Sequence, residues 1–250
     1  MLSLIGLGLY DEKDLTLRGL EKARDADKVY AEFYTSRWYG DVKKLEKMIE
    51  KEIEVVDRKD LEEDSNRIIE GARSKKIVVF VLGDPLVATT HTILLNDAKR
   101  VGVKTEVIHN ASIYSAVGET GLHLYKFGRT VTIPFPEKIK STDALADAIE
   151  QNMKMGLHAL LLLDVISEKE KYMNPIEGVK ILLGIKKRFF TEKTEIVVFA
   201  RGGSGRPLIV YGRVKDLIKR DFGNPPFVII IPGELHFTEK EYLKCYRVGK

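Results

Sequence analysis

Ten short runs rich in Val, Ile, Leu and Phe recur along the chain, and several, such as residues 77–82 (IVVFVL) and 227–231 (FVIII), are apolar at every position. A strand wetted on one face alternates apolar with polar residues, whereas an uninterrupted run belongs to a strand covered on both faces. The runs fall at residues 2–5, 28–33, 53–56, 77–82, 104–108, 130–133, 158–163, 195–200, 208–211 and 227–231. Stretches with helical spacing lie between them. Val42, Leu45, Met48 and Ile49 share one side of residues 41–52, and the charge run there is a solvated face. Asp60 with Glu63 reads as a capping box opening a helix over 61–73. Thr89 or Thr90 caps one over 91–100 that Gly102 stops, and another spans 143–153. The fold class is α/β.

Near residues 110–135 the strict β-α-β-α order gives way to a stretch richer in glycine and aromatics, then to Pro134-Phe135-Pro136, which interrupts regular structure. Two α/β domains are expected, 1–112 and 113–250, with a ligand cleft between them. The second contains a two-strand unit around residues 202–205.

Composition removes several classes. A chain of 250 residues needs no disulfide or metal to fold, and its single cysteine, Cys245, excludes a disulfide framework and fits a reducing cytoplasm. The 41 Lys+Arg and 37 Asp+Glu are interspersed, and a net charge of +4 is no nucleic-acid footprint. The 31% of charged residues hints at a thermophile. The opening MLSLIGLGLY lacks the basic start of a signal peptide, and every apolar run is far shorter than the ~18 residues of a membrane helix. No membrane association is expected. The five histidines show no metal-ligand spacing, so no metal is expected, and each reads as a surface or hydrogen-bonded residue. Trp38, Tyr39 and Tyr34 read as one aromatic cluster serving packing or a subunit contact.

Five motifs sit at the carboxyl ends of strands. They are Gly6-Leu7-Gly8, Gly83-Asp84-Pro85, the segment from Asn110 through Ser112 to Gly118, Leu163-Asp164, and Arg201-Gly202-Gly203-Ser204-Gly205. Glycines there let backbone approach a ligand, a carboxylate such as Asp84 accepts hydrogen bonds from hydroxyls or an amine, and Ser112 caps a helix. Each alone reads equally as a turn or a cap. Together they describe a ligand crevice. The dinucleotide fingerprint is absent, since its third glycine position is Asp11, and so are a phosphate loop and a nucleophile elbow.

Several segments together carry a resemblance to a known family: the opening residues Leu4 to Asp11, Ala31 to Ser36, Gly83-Asp84-Pro85-Leu86-Val87-Ala88-Thr89-Thr90-His91, Ser112 to Gly118, Gly121 to Gly128, Val214 to Leu217 and Asp221 to Pro226. Over essentially the whole chain these resemble the diphthine synthases, a branch of the tetrapyrrole methylases. The resemblance implies two domains of the tetrapyrrole-methylase type with the cofactor cleft between them. It implies transfer of methyl groups from S-adenosyl-L-methionine, leaving S-adenosyl-L-homocysteine, to the amine of a 3-amino-3-carboxypropyl-histidine on translation elongation factor 2. It also implies a cytoplasmic homodimer. Cofactor contacts fall on Leu9, Asp84, Val87, Ser112, Ile113, Leu163, Gly202 and Phe227; the last two stand where the family has Ala and often His.

Methyl transfer from a sulfonium needs little acid catalysis, because the leaving thioether is neutral, but the attacking amine must be unprotonated. The sequence assigns no base; His236 and Tyr34 are the candidates. Trimethylation needs a pocket tolerant of a cationic nitrogen, for which Tyr34, Tyr114 and Tyr125 are candidate walls. The rival readings are a tetrapyrrole C-methyltransferase and a non-catalytic nucleotide-binding module.

Overall fold

The computed structural model describes residues 1–185 and 189–249. The chain forms two compact units, Met1–Ala116 and Val117–Lys250.

The first unit is a parallel sheet with helices on both faces. Its strands are β1 (Leu2–Gly6), β2 (Lys28–Glu32), β3 (Ile53–Val56), β4 (Ile77–Val81) and β5 (Thr105–Ile108), in the order β3-β2-β4-β1-β5. Successive residues of one strand feed opposite cores. Ile5, Val78 and Phe80 pack with Ala23, Leu45 and Ile49 from α1 (Leu17–Arg24) and α2 (Val42–Ile49). Leu2, Leu4 and Val79 pack with Leu61, Ile68 and Leu94 from α3 (Arg58–Glu62), α4 (Asn66–Ser74) and α5 (Thr92–Arg100). Both faces are dry, hence the unbroken apolar runs. Each fully buried Leu or Ile contributes about 1.5–3 kcal/mol relative to exposure.

Two helix expectations need correction. The single helix over 61–73 is two helices, because the capping box forms one turn earlier. Asp57 accepts from Asp60 N at 2.9 Å and Asp60 accepts from Asp57 N at 3.0 Å, so Glu63 ends α3 rather than opening a helix. Neither Thr89 nor Thr90 caps α5. The Thr89 hydroxyl instead donates to Pro85 O at 2.7 Å, which ties the preceding loop to itself.

The second unit has a mixed sheet in the order β11-β10-β12-β7-β6, from β6 (Val131–Ile133), β7 (Ala159–Leu163), β10 (Glu195–Ala200), β11 (Leu208–Arg213) and β12 (Phe227–Ile231). Among the described strands of this sheet only β6 and β7 pair in parallel; β10 and β11 are the expected two-strand unit. A minor ladder, β8 (Val165–Ile166) with β9 (Lys171–Tyr172), was not expected. Helices α7 (Asp143–Lys154), α8 (Pro175–Gly184) and the short α9 (Val214–Leu217) contribute Leu145, Ile149, Val179, Leu182 and Leu217 to the core of this unit.

One buried carboxylate fixes the last helix, α10 (Phe237–Lys244), to the sheet. Glu239 is fully buried and accepts from His158 Nε2 at 2.9 Å, Lys126 Nζ at 2.6 Å, His123 N at 2.8 Å and His236 N at 2.7 Å. Burial opposes its ionisation, but these donors outweigh burial and hold its pKa down at about 2.

Candidate functional site

In the first unit the chain starts in the middle of the sheet. It moves outward through β2 and β3, returns with β4, and crosses β1 to β5. The direction of winding therefore reverses beside β1. Open parallel sheets bind ligands outside the carboxyl ends of their strands at such a reversal. The loops leaving β1, β4 and β5 meet there.

Glycine makes that meeting possible. A Cβ on Gly6 would lie 2.5 Å from Gly83 O and 2.7 Å from Asn110 Cβ, so any larger residue would force the β4 and β5 loops apart above β1. Gly8 has φ +79 and bonds reciprocally with Gly83, N to O at 3.2 Å and back at 2.9 Å. Asn110 Nδ2 donates to Gly6 O and to Asp14 O, both at 2.9 Å. Asp14 in turn accepts from Leu9 N at 3.0 Å and Tyr10 N at 2.7 Å. The turn after β1 is thus fixed before any ligand arrives.

Asp84 is buried at the heart of this arrangement. Its carboxylate accepts from Leu86 N at 3.0 Å, Asn110 N at 3.2 Å and His109 Nδ1 at 2.7 Å. A carboxylate offers about four acceptor positions, so one remains for a ligand. The Ser112 hydroxyl does not cap α6 (Ile113–Ala116) as expected; Ser112 N donates to Ser115 Oγ at 3.1 Å, and Ser112 O accepts from that same hydroxyl at 2.9 Å. The Ser112 hydroxyl bonds no group among the described residues and is open to a ligand. Behind the site, Glu32 accepts from Leu82 N at 3.1 Å and Thr35 Oγ1 at 2.7 Å, joining the ends of β2 and β4, and burial pushes its carboxyl up.

The second unit places its expected residues on one strand edge of its own. β7 and β10 flank β12 and run opposite to it, so their carboxyl ends lie beside its start. Phe227 pairs with Ala200, and Leu163 ends the strand on the other side. Phe227 therefore sits at the amino end of its strand. Arg201, at φ +55, leads into Gly202 and holds the loop that precedes β12 through bonds from Nη1 to Phe222 O at 2.8 Å and Asn224 O at 2.7 Å. Phe227 also lines a cavity of 340 Å³ with Asn174, Pro175, Ile176, Arg220 and Phe222. Asp164 binds Phe135 N at 3.0 Å, Val165 N at 2.9 Å and Lys138 Nζ at 3.0 Å, a structural tie rather than a free carboxylate.

Other expected groups separate. Trp38 stacks on Phe33 and Tyr39 on Tyr10, each at 4.9 Å, while Tyr34 lies in the core with its hydroxyl 3.2 Å from His91 Nε2. Burial and the neighbouring Glu32 raise the Tyr34 pKa, which disqualifies it as a base near neutrality. His236 caps α10 and its Nδ1 lies 2.8 Å from Thr238 Oγ1. Tyr114 and Tyr125 are exposed. His109, Asn110 and Asp14 hold Asp84 and the turn after β1 and were not expected as a set, because His109 and Asn110 reach partners 25 to 104 residues away. Among the described residues no group of three or more His, Cys, Asp or Glu side chains is arranged to hold a metal, and no helix is long and apolar enough to cross a membrane.

The family model for tetrapyrrole (corrin/porphyrin) methylases matches residues 1–218. The diphthine synthase of Methanocaldococcus jannaschii is 49% identical over 251 residues, with 98% of each chain covered. That of Methanococcus vannielii is 45% identical over 249 residues, again covering 98% of each. A crystal structure of diphthine synthase superposes with a TM-score of 0.90 at 39% identity, covering 98% of this chain and 95% of that one.

The chain belongs to the diphthine synthases, within the tetrapyrrole methylases. Membership makes it a methyltransferase of the diphthamide pathway that uses S-adenosylmethionine, and places its α/β architecture within that fold.

Proposed function

We propose that the chain transfers methyl groups from S-adenosyl-L-methionine to the amine of a 3-amino-3-carboxypropyl-histidine on translation elongation factor 2, as far as the trimethylated form. The observation that carries this reading is the preformed crevice at the winding reversal, where Gly6 and Gly8 admit backbone, and Asp84 and Ser112 keep hydrogen-bonding capacity in reserve. The cofactor, when bound, supplies an electrophilic methyl carbon and a neutral leaving thioether.

The residues proposed to hold it are Leu9, Asp84, Val87, Ser112 and Ile113 of the first unit and Leu163, Gly202 and Phe227 of the second. Asp84 and Ser112 supply polar contacts to hydroxyls or an amine; Leu9, Val87, Ile113, Leu163 and Phe227 supply apolar surface. Because Leu9 N is spent on Asp14, Leu9 contributes through its side chain or carbonyl. The rate gain then comes mainly from holding the reacting atoms ~3–3.5 Å apart and aligned. A homodimer belongs to the same reading through the family resemblance, and a cytoplasmic setting through that resemblance and the free Cys245.

Labelled S-adenosylmethionine, offered with elongation factor 2 bearing the unmethylated intermediate and separately with a porphyrinogen, tests the reading. Label is expected on the elongation factor alone. Label on the porphyrinogen would establish tetrapyrrole methylation instead, and binding without transfer to either would establish a nucleotide-binding module.

A further inference from the structure

Each methyl transfer to an amine needs a nitrogen lone pair, and at neutral pH an alkylamine carries a proton in its place. We infer that His109 is the general base that removes this proton, oriented by Asp84. The inference rests on the methyltransferase reading above.

His109 is the first residue beyond β5, and Asp84 follows β4. These strands lie on either side of β1, and they meet because Gly6 at the end of β1 has no side chain. His109 Nδ1 lies 2.7 Å from Asp84 Oδ2; the Asp84 side chain is 7% exposed and the imidazole 68% exposed. An ionised carboxylate only accepts, so Nδ1 carries the proton and Nε2 presents its lone pair outward. No group among the described residues bonds Nε2. The arrangement is that of a buried carboxylate fixing the tautomer of a basic imidazole and stabilising the imidazolium that forms.

The other four histidines differ. Both ring nitrogens of His91 face partners, Pro85 O at 3.3 Å and Tyr34 Oη at 3.2 Å, and the ring is buried. His158 is buried between Gly233 N and Glu239. His123 lies between Tyr125 Oη and Thr238 Oγ1, and His236 is oriented by that same Thr238 hydroxyl. Among the described residues only His109 joins a mostly exposed ring to a buried carboxylate at hydrogen-bond distance; His123, 27% exposed, stands 3.7 Å from Glu239.

The step balances without any further reagent. The ammonium proton moves to His109 Nε2. The freed pair on nitrogen forms the new N–C bond, and the pair of the breaking C–S bond leaves on sulfur as the neutral thioether. Three such rounds release three protons and end in a quaternary nitrogen. His109 returns its proton to solvent between rounds, which its exposure allows.

The test compares wild type with His109→Ala, using labelled S-adenosylmethionine and elongation factor 2 bearing the unmethylated intermediate, with and without added imidazole. S-adenosylhomocysteine affinity is measured in parallel by calorimetry, and ring 15N shifts report the His109 tautomer. General-base catalysis contributes about 10²–10⁴-fold. The variant should therefore lose transfer by about that factor, keep S-adenosylhomocysteine affinity within about threefold, and recover partly with imidazole, while wild-type His109 shows a proton on Nδ1 and none on Nε2. Transfer within about threefold of wild type, an affinity that falls in step with the rate, or a proton on Nε2 would overturn the assignment. A wild-type chain that transfers no label would overturn the methyltransferase reading and this inference with it, a result readily told apart from an active wild type with an active variant.

Discussion

In the first unit the carboxyl edge of the sheet ends in Asp84, His109 and Asn110, bound to one another and to the turn after β1, whereas the comparable edge of the second unit presents Leu163, Ala200 and Phe227. The first edge is polar and cross-linked by ties between loops distant in sequence, with Asp84, Ser112 and His109 Nε2 each keeping a free position; the second is apolar at its strand ends, with Arg201 and Asp164 tying the flanking loops. A parallel sheet brings several carboxyl ends to one rim, so loops distant in sequence converge and can hydrogen-bond. A mixed sheet interleaves carboxyl ends with strand starts and leaves fewer loops at each rim. Under the proposed function, proton chemistry falls to the first edge and apolar contact with the cofactor to the second.

Substitution at Asp84 should break this comparison most severely. Asp84→Ala strands the N–H groups of Leu86 and Asn110 and frees the imidazole, and methyl transfer measured by label should fall by about 10²–10⁴-fold. In the second unit the strongest polar tie lies away from the candidate edge, at Glu239. Glu239→Ala should cost about 3 kcal/mol in urea unfolding, near the lower end for breaking a buried pair because Lys126 is part-exposed, with methyl transfer below the unfolding transition little changed.

Glu239 also sets a pH dependence. Its folded pKa, about 2, lies below the ordinary value of 4.5, so its stabilisation is complete above about pH 4.5 and is lost as pH falls toward 2. Unfolding curves between pH 5 and pH 2 should show a falling limb that the Ala variant flattens. Next in size, Gly6→Ala should cost about 1–3 kcal/mol by forcing apart the loops after β4 and β5, and should weaken S-adenosylhomocysteine binding in calorimetry. Smallest of all, Phe227→His, the residue that the family resemblance often implies at this position, should change that affinity by less than about fivefold. A larger change would show that the second edge does more than supply surface.

Much of the fold was legible because its signal is local. Every expected strand overlaps an observed one, since an unbroken run such as residues 77–82 needs only its own neighbours to be recognised. The three motifs that meet in the first unit, after β1, β4 and β5, were legible for the same reason: each couples a strand end to glycine or a small polar residue. Signals that compete locally were misread, as when Asp57 and Asp60 formed the capping box three residues before the expected pair. The strands β8 and β9 have two residues each, too few to show a period. The His109–Asp84 contact spans 25 residues and depends on Gly6, more than 70 residues before Asp84, lacking a side chain; no window of sequence contains all three.

Hydrogen exchange of the full-length chain, with and without saturating S-adenosylhomocysteine, tests the central claim most directly. The account predicts protection concentrated at residues 6–10, 83–87 and 109–113, with a second set at 163, 200–203 and 227. No protection, or protection confined to segments elsewhere such as α7 or α10, would contradict it.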